Sequence, residues 1–372
     1  MKKLLPLLLA LLLIVGLSAC GDNGDGDAQG GRELDFETVQ LAFIHVGDPA
    51  DMGYTYRQHR GTTDMMAELG IGEDQVMNFF NRAPGDVPTA ILESIEWGAD
   101  LIFGTSFAFE SHMLEAAQEH PDIQFFHATG NQAKASGLDN MHNYFGNMSQ
   151  ARFLSGIAAG LRTETNVLGF VAAHPFAEVI TGYTAFYLGA LSVNPDVTMY
   201  VMYTNQWNDP TLEQQAAQAL IDRGADVIGQ HADSTATQTA AEANGVWSVG
   251  YNNDMIPAAP SAVLTSPMFD WSIYLTYAVR SVVEGSSVQP DFLAGLAEGM
   301  VLLSPLNPNT VTPDAEGYIE SARAALLAGK NVFTGPIYDN EGNQLLADGE
   351  EFIEPLAAPS WAYIIQGITI IE

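Results

Sequence analysis

Aromatic rings and short polar side chains recur just after apolar runs in this 372-residue chain. Tyr54, Tyr56, Phe107, Phe109, Trp207, Phe269 and Trp271 share those stretches with Asp48, Asp51, Ser106, Glu178, Asp209, His231, Asp233 and Asp254. Rings offer flat apolar faces that stack, and carboxylates accept hydrogen bonds from N–H edges. Together they suit a planar, hydrogen-bonding heterocycle. A sugar, which also lies on aromatic faces, is the weaker alternative.

Other chemistries lack their residues. Metal chelation needs His, Cys or carboxylate ligands at local spacing. The histidines stand scattered at 45, 59, 112, 120, 127, 142, 174 and 231, and no H-E-x-x-H occurs, so no metal and no cofactor is expected. The chain has no G-x-x-x-x-G-K-[ST], no G-x-G-x-x-G after a strand and no G-x-S-x-G elbow. Asp51 with Asp254 could form an acid/base pair for an exported nucleoside hydrolase. Carboxylates that only accept ligand hydrogen bonds are the preferred reading, and the chain is read as a non-enzyme.

The elements that must hold these side chains follow one plan twice. Apolar strands are expected over 39–46, 101–107 and 123–130, separated by helical stretches that include 89–97. Strands are expected again over 166–173, 227–233 and 246–254, with helices over 180–191 and 212–223. Landmarks keep a near-constant offset: Leu41 to Leu168 is 127 positions, Gly98 to Gly224 is 126, and Pro121 to Gly245 is 124. Alternating strands and amphipathic helices imply parallel βαβ units, here in two similar α/β lobes. Ligands of open parallel sheets gather at the carboxyl ends of strands, where the aromatics and acids sit.

Thirteen Lys and Arg face 45 Asp and Glu, a net charge of −32 that repels phosphate backbones and excludes nucleic acid as a partner. After the leader only Lys134 and Lys330 remain as lysines, and such an acidic surface suits a protein bathed in high salt. Residues 1–20, MKKLLPLLLALLLIVGLSAC, join two lysines to an apolar run that ends in small residues and the single cysteine, Cys20. This is an export signal, and Leu17-Ser18-Ala19-Cys20 resembles a bacterial lipobox, in which the cysteine carries the lipid. A Gly- and Asp-rich tether follows over 21–36.

Longer motifs carry a family likeness: Gly47-Asp48-Pro49 through Asp51-Met52-Gly53-Tyr54, GADLIFGTSF (98–107), YFGNMSQARFLSGIAAG (144–160), HPFAEVITGYTAFYLGALSVNP (174–195), NQWNDP (205–210), GADVIGQHADS (224–234), GYNNDM (250–255), LTSPMFDW (264–271) and FTGPIYDNEGN (333–343). In these the chain resembles the basic membrane lipoprotein family, which includes purine nucleoside receptors of ABC transporters. The resemblance implies a type I periplasmic binding fold, with two Rossmann-like lobes of parallel sheet joined by a three-segment hinge. On that plan 37–148 with about 270–300 form the N-terminal lobe, and 149–269 with about 301–372 the C-terminal lobe. It further implies that Tyr54 and Trp207 sandwich a base, with Asp51, Ser106, Phe107, His231, Asp233, Asp254 and Trp271 also facing the ligand.

Where nucleoside-binding members carry a lysine, this chain has Pro267-Met268-Phe269-Asp270, and Thr181 stands where related chains often have arginine. Base and nucleoside therefore both stay open, with an adenine-like base favoured by the tryptophan of NQWNDP. The implied partners are the purine ligand, an ABC permease and, through the lipid on Cys20, the outer face of a cell membrane. A sensory receptor for the same ligand is a further alternative.

The charge makes its own prediction. The melting temperature should rise markedly from low to molar salt as screening removes self-repulsion, and a flat value across that range would contradict a salt-adapted surface.

Overall fold

The computed structural model describes residues 34–355 and 358–372. The expected leader with Cys20, and the tether up to residue 33, lie outside the described residues. Strands β1 (Leu41–Ile44), β2 (Val76–Phe79), β3 (Leu101–Gly104), β4 (Gln124–Ala128) and β5 (Met141–Gly146) form one parallel sheet in the order β2-β1-β3-β4-β5. Strands β6 (Val167–Ala172), β7 (Thr198–Tyr203), β8 (Val227–His231) and β9 (Trp247–Ser248) form a second in the order β7-β6-β8-β9. The first four strands of each half thus share one order, which is the structural form of the sequence repeat.

The central strands are apolar because helices cover both sheet faces. LAFI in β1 and LIFG in β3 are buried at every position, as parallel strands between two helical layers must be. The repeated Gly-Ala-Asp also has a mechanical reason. Gly98 and Gly224 end helices at φ of 97° and 94°, a left-handed conformation that a side chain disfavours. Two residues on, each aspartate ties its strand's start to the neighbouring central strand. Asp100 accepts from the Gln40 N–H, and Asp226 accepts from the Glu164 and Thr165 N–H groups and the Thr163 hydroxyl.

Three further strands stitch the halves together. β10 (Pro267–Phe269) pairs antiparallel with β12 (Val301–Leu303), and between them the chain runs through β11 (Asp291–Ala294), which joins the first sheet beside β5. The helix Met148–Arg162 follows β5 directly, yet its Phe153, Leu154 and Ile157 belong to the second core with Tyr183 and Phe186. A hairpin of β13 (Ile337–Tyr338) and β14 (Gln344–Leu346) precedes β15 (Ile368–Ile371), which pairs with β7 in the second sheet.

The strand expected over 246–254 stops at Ser248, and Asn252, at a left-handed φ of 65°, bridges Met268 instead of continuing the sheet. The helix expected from 180 begins at Ala177, so Glu178 lies in its first turn, where the helix dipole favours an acid. Among the described residues, no helix is long and apolar enough to cross a membrane.

Replacing Asp226 by Ala strips two backbone N–H groups and a hydroxyl of their acceptor. It should destabilise the protein by about 1–3 kcal/mol in urea unfolding, and an unchanged midpoint would contradict the tying role.

Candidate functional site

The carboxyl ends of both sheets open onto one cavity with about 360 Å³ of space between atoms, open solvent included. Val46, Tyr54, Thr105, Ser106, Phe107 and Thr129 line it from the first half; Glu178, Trp207, His231, Asp233 and Tyr251 line it from the second. The expected residues Tyr54, Ser106, Phe107, Trp207, His231 and Asp233 are therefore brought together.

Each aromatic wall is held by its own element. Tyr54 starts the helix Tyr54–Leu69; its hydroxyl donates to the Thr105 carbonyl at 2.7 Å and accepts from Gln58 Nε2. Trp271, fully buried, meets the Tyr54 ring edge-to-face at 5.7 Å. Trp207 lies just before the helix Pro210–Asp222, whose start is fixed by Asp209 accepting from the Thr211 and Leu212 N–H groups and by proline in the first turn. His174 packs against Trp207 at 4.9 Å, and Phe176 at 6.0 Å. Phe176 also reaches Phe107 of the other half at 5.5 Å, so an aromatic contact bridges the cleft mouth.

Three expected ligand contacts take other roles. Asp51 does not line the cavity: its carboxylate accepts from the N–H groups of Gly53, Thr55 and Tyr56 and so caps the helix start. Asp254 likewise accepts from the Ile256 N–H at the head of a short turn. Neither member of the acid/base pair proposed for hydrolysis reaches the cavity. Trp271 stacks on Phe269 at 4.3 Å and supports Tyr54 from behind.

Glu178, Tyr251, Thr105, Thr129 and Val46 line the cavity without having been singled out as ligand contacts. The strand-end rule already points to several of them. Thr105 directly follows β3 and Thr129 directly follows β4, where parallel sheets place their ligands. Glu178 already stood among the polar groups after β6.

The cavity's charges are concentrated on its second-half wall. Burial pushes the Asp233 carboxyl well above the usual range, and the nearby charges of Asp51, Glu213 and Glu178 add to that; a hydrogen bond from Asn252 Nδ2 opposes it. His231 Nε2 lies 3.4 Å from Glu178 Oε1. Burial holds the His231 pKa below its ordinary value, with Glu178 pulling it up and Arg152 pushing it down. Among the described residues, no group of three His, Cys, Asp or Glu is arranged to hold a metal ion.

Likeness to known proteins agrees with this architecture. A purine-binding protein of Brucella abortus is 34% identical over 326 residues, covering 87% of this chain and 91% of that one. A putative ABC transporter glucose-binding protein of Haloferax volcanii is 33% identical over 318 residues, covering 85% and 80%. The crystal structure of an ABC transporter solute-binding protein from Aeropyrum pernix superposes with a TM-score of 0.68 at 18% identity, over 82% of this chain and 95% of that one. A solute-binding protein from Conexibacter woesei gives 0.65 at 20% identity, over 78% and 97%. Those likenesses establish the type I periplasmic binding fold. Residues 38–324 match the family described as ABC transporter substrate-binding protein, PnrA-like, and the chain belongs to that family.

Proposed function

We propose that this protein is the extracytoplasmic receptor of an ABC importer and binds a purine base, adenine-like rather than a nucleoside, in the cleft between the sheets. The observation that carries this reading is the meeting of Tyr54 and Trp207, from opposite halves, with Asp233 and Glu178 in one cavity. The Brucella abortus relative, named for purine binding, supports it.

In the proposed complex the base lies between the Tyr54 phenol and the Trp207 indole. Asp233, whose carboxyl is pushed toward the protonated form by burial and by its acidic neighbours, donates to a ring nitrogen. Glu178 accepts from the adjacent amino group. Such a donor–acceptor pair matches an amidine edge, the pattern an aminopurine presents. Stacking is worth about 1–3 kcal/mol per base by analogy with single-strand binders, and a hydrogen bond to a charged group about 1.5–3 kcal/mol. Together they support micromolar binding, about −8 kcal/mol. Closure over the ligand is the state a permease would read. Anchoring through a lipid on Cys20 rests on the lipobox alone.

The Haloferax volcanii relative, whose name specifies glucose, makes a hexose the second reading. Calorimetric titration with adenine and glucose separates the two. Adenine should bind and Trp207→Ala should weaken it at least tenfold; an unchanged affinity in the variant rejects the sandwich, and glucose binding in place of adenine rejects the purine.

Asp233 also sets a pH dependence. Its folded pKa is raised, so above about pH 3.9 the unfolded chain releases this proton while the native state keeps it, and the stability of the ligand-free protein is drawn down as pH rises through that window. Asp233→Asn removes this drain and retains an acceptor for Asn252. The variant's advantage in urea unfolding should grow as pH rises above about 3.9; equal slopes for the two proteins would contradict a raised Asp233 pKa.

A further inference from the structure

We propose that Arg152 and His231 are positioning residues beneath the cleft: they hold Glu178 as a hydrogen-bond acceptor toward the ligand and so select an amino-bearing edge. The selectivity part rests on the purine reading above, whereas the state of the histidine does not.

Arg152 has an unusual environment for a cation. It is fully buried in the helix Met148–Arg162, and among the described residues it makes no ion pair. Its guanidinium lies over the Tyr251 ring, 3.6 Å from the centroid, and Nη1 donates to the Gln230 carbonyl at 2.6 Å. Among the described residues, Nε and Nη2 donate to no carbonyl or carboxylate oxygen, and Tyr251 is the guanidinium's neighbour. Tyr251 lines the cavity and Gln230 immediately precedes His231, so Arg152 braces the cavity wall from behind.

His231 stands between this cation and Glu178. Its Nε2 faces the Glu178 carboxylate, and its Nδ1 has no protein partner. A methyl group on Gly182 would come 3.2 Å from His231 Nδ1 and 3.6 Å from Arg152 Nε, which puts both atoms around the same bare helix surface. Burial lowers the ring's pKa and so favours the neutral form, with a single N–H. The Glu178 oxygen that faces Nε2 is taken as the acceptor, so the N–H belongs on Nε2, and the Nδ1 lone pair is left on the guanidinium side. The cation thereby favours the tautomer that donates to Glu178. With one Glu178 oxygen facing His231, the other is left to accept from a ligand in the cavity that Glu178 lines. An amino group satisfies that oxygen, while a ring carbonyl in the same place repels it.

Two measurements on the full chain test this. In ring-¹⁵N histidine NMR, with His231→Gln used for assignment, His231 should show its proton on Nε2, with and without adenine. A proton on Nδ1 overturns the proposal. Gly182→Ala, which crowds the gap without reaching the cavity, should lower the adenine-to-hypoxanthine affinity ratio at least fivefold in competition calorimetry while the melting temperature changes by only a few degrees. An unchanged ratio overturns the proposal. A wild-type protein that binds neither base yet carries the Nε2 proton supports the tautomer and removes only the purine reading.

Discussion

The bare α-carbon of Gly53 lies against the backbone carbonyl of Asp233, and this contact sets the separation of the two halves around the cavity. A Cβ at position 53 would collide with the Asp233 carbonyl oxygen, carbonyl carbon and Cα. With the halves this close, rings and acids carried on separate sheets line one small space. The close approach also withdraws Asp233 from solvent, and that burial raises its carboxyl's pKa. The aromatic contact between Phe107 and Phe176 repeats the same closure at the mouth.

The halves can be brought together this way because each is rigid by itself. The central strands are buried on both faces, and the aspartates that follow the helix-ending glycines tie those strands at their starts. Among the described residues the β10–β12 pair and the passage out of β5 are backbone segments that connect the sheets, and such segments are where a hinge motion concentrates. A receptor that binds by closing needs that division between stiff lobes and a narrow hinge. The family to which the chain belongs is one of transporter receptors.

Much of this was legible in the sequence, for reasons that single residues make plain. The offset between Gly98 and Gly224 reports two helix ends of the same geometry, whereas the helix expected from 212 begins two residues earlier, at Pro210. Other features depend on directions that residue type does not encode. Asp51 and Asp254 look like ligand acceptors in sequence, but neighbouring backbone N–H groups claim their oxygens. Trp271 follows a strand as Trp207 does, yet it is turned inward behind Tyr54. β11 and β15 join sheets whose other strands lie far away in the chain, and such pairings leave no local pattern. Arg152 gave no signal either, since a buried arginine on a helix reads like an exposed one.

The central claim is that the two halves close on a flat, amino-bearing ring. A crystal structure of the protein grown with adenine tests it most directly. The account predicts planar density between Tyr54 and Trp207, with its polar edge toward Asp233 and Glu178. A ring bound outside this cavity, or a cavity that stays empty at saturating adenine, would contradict it.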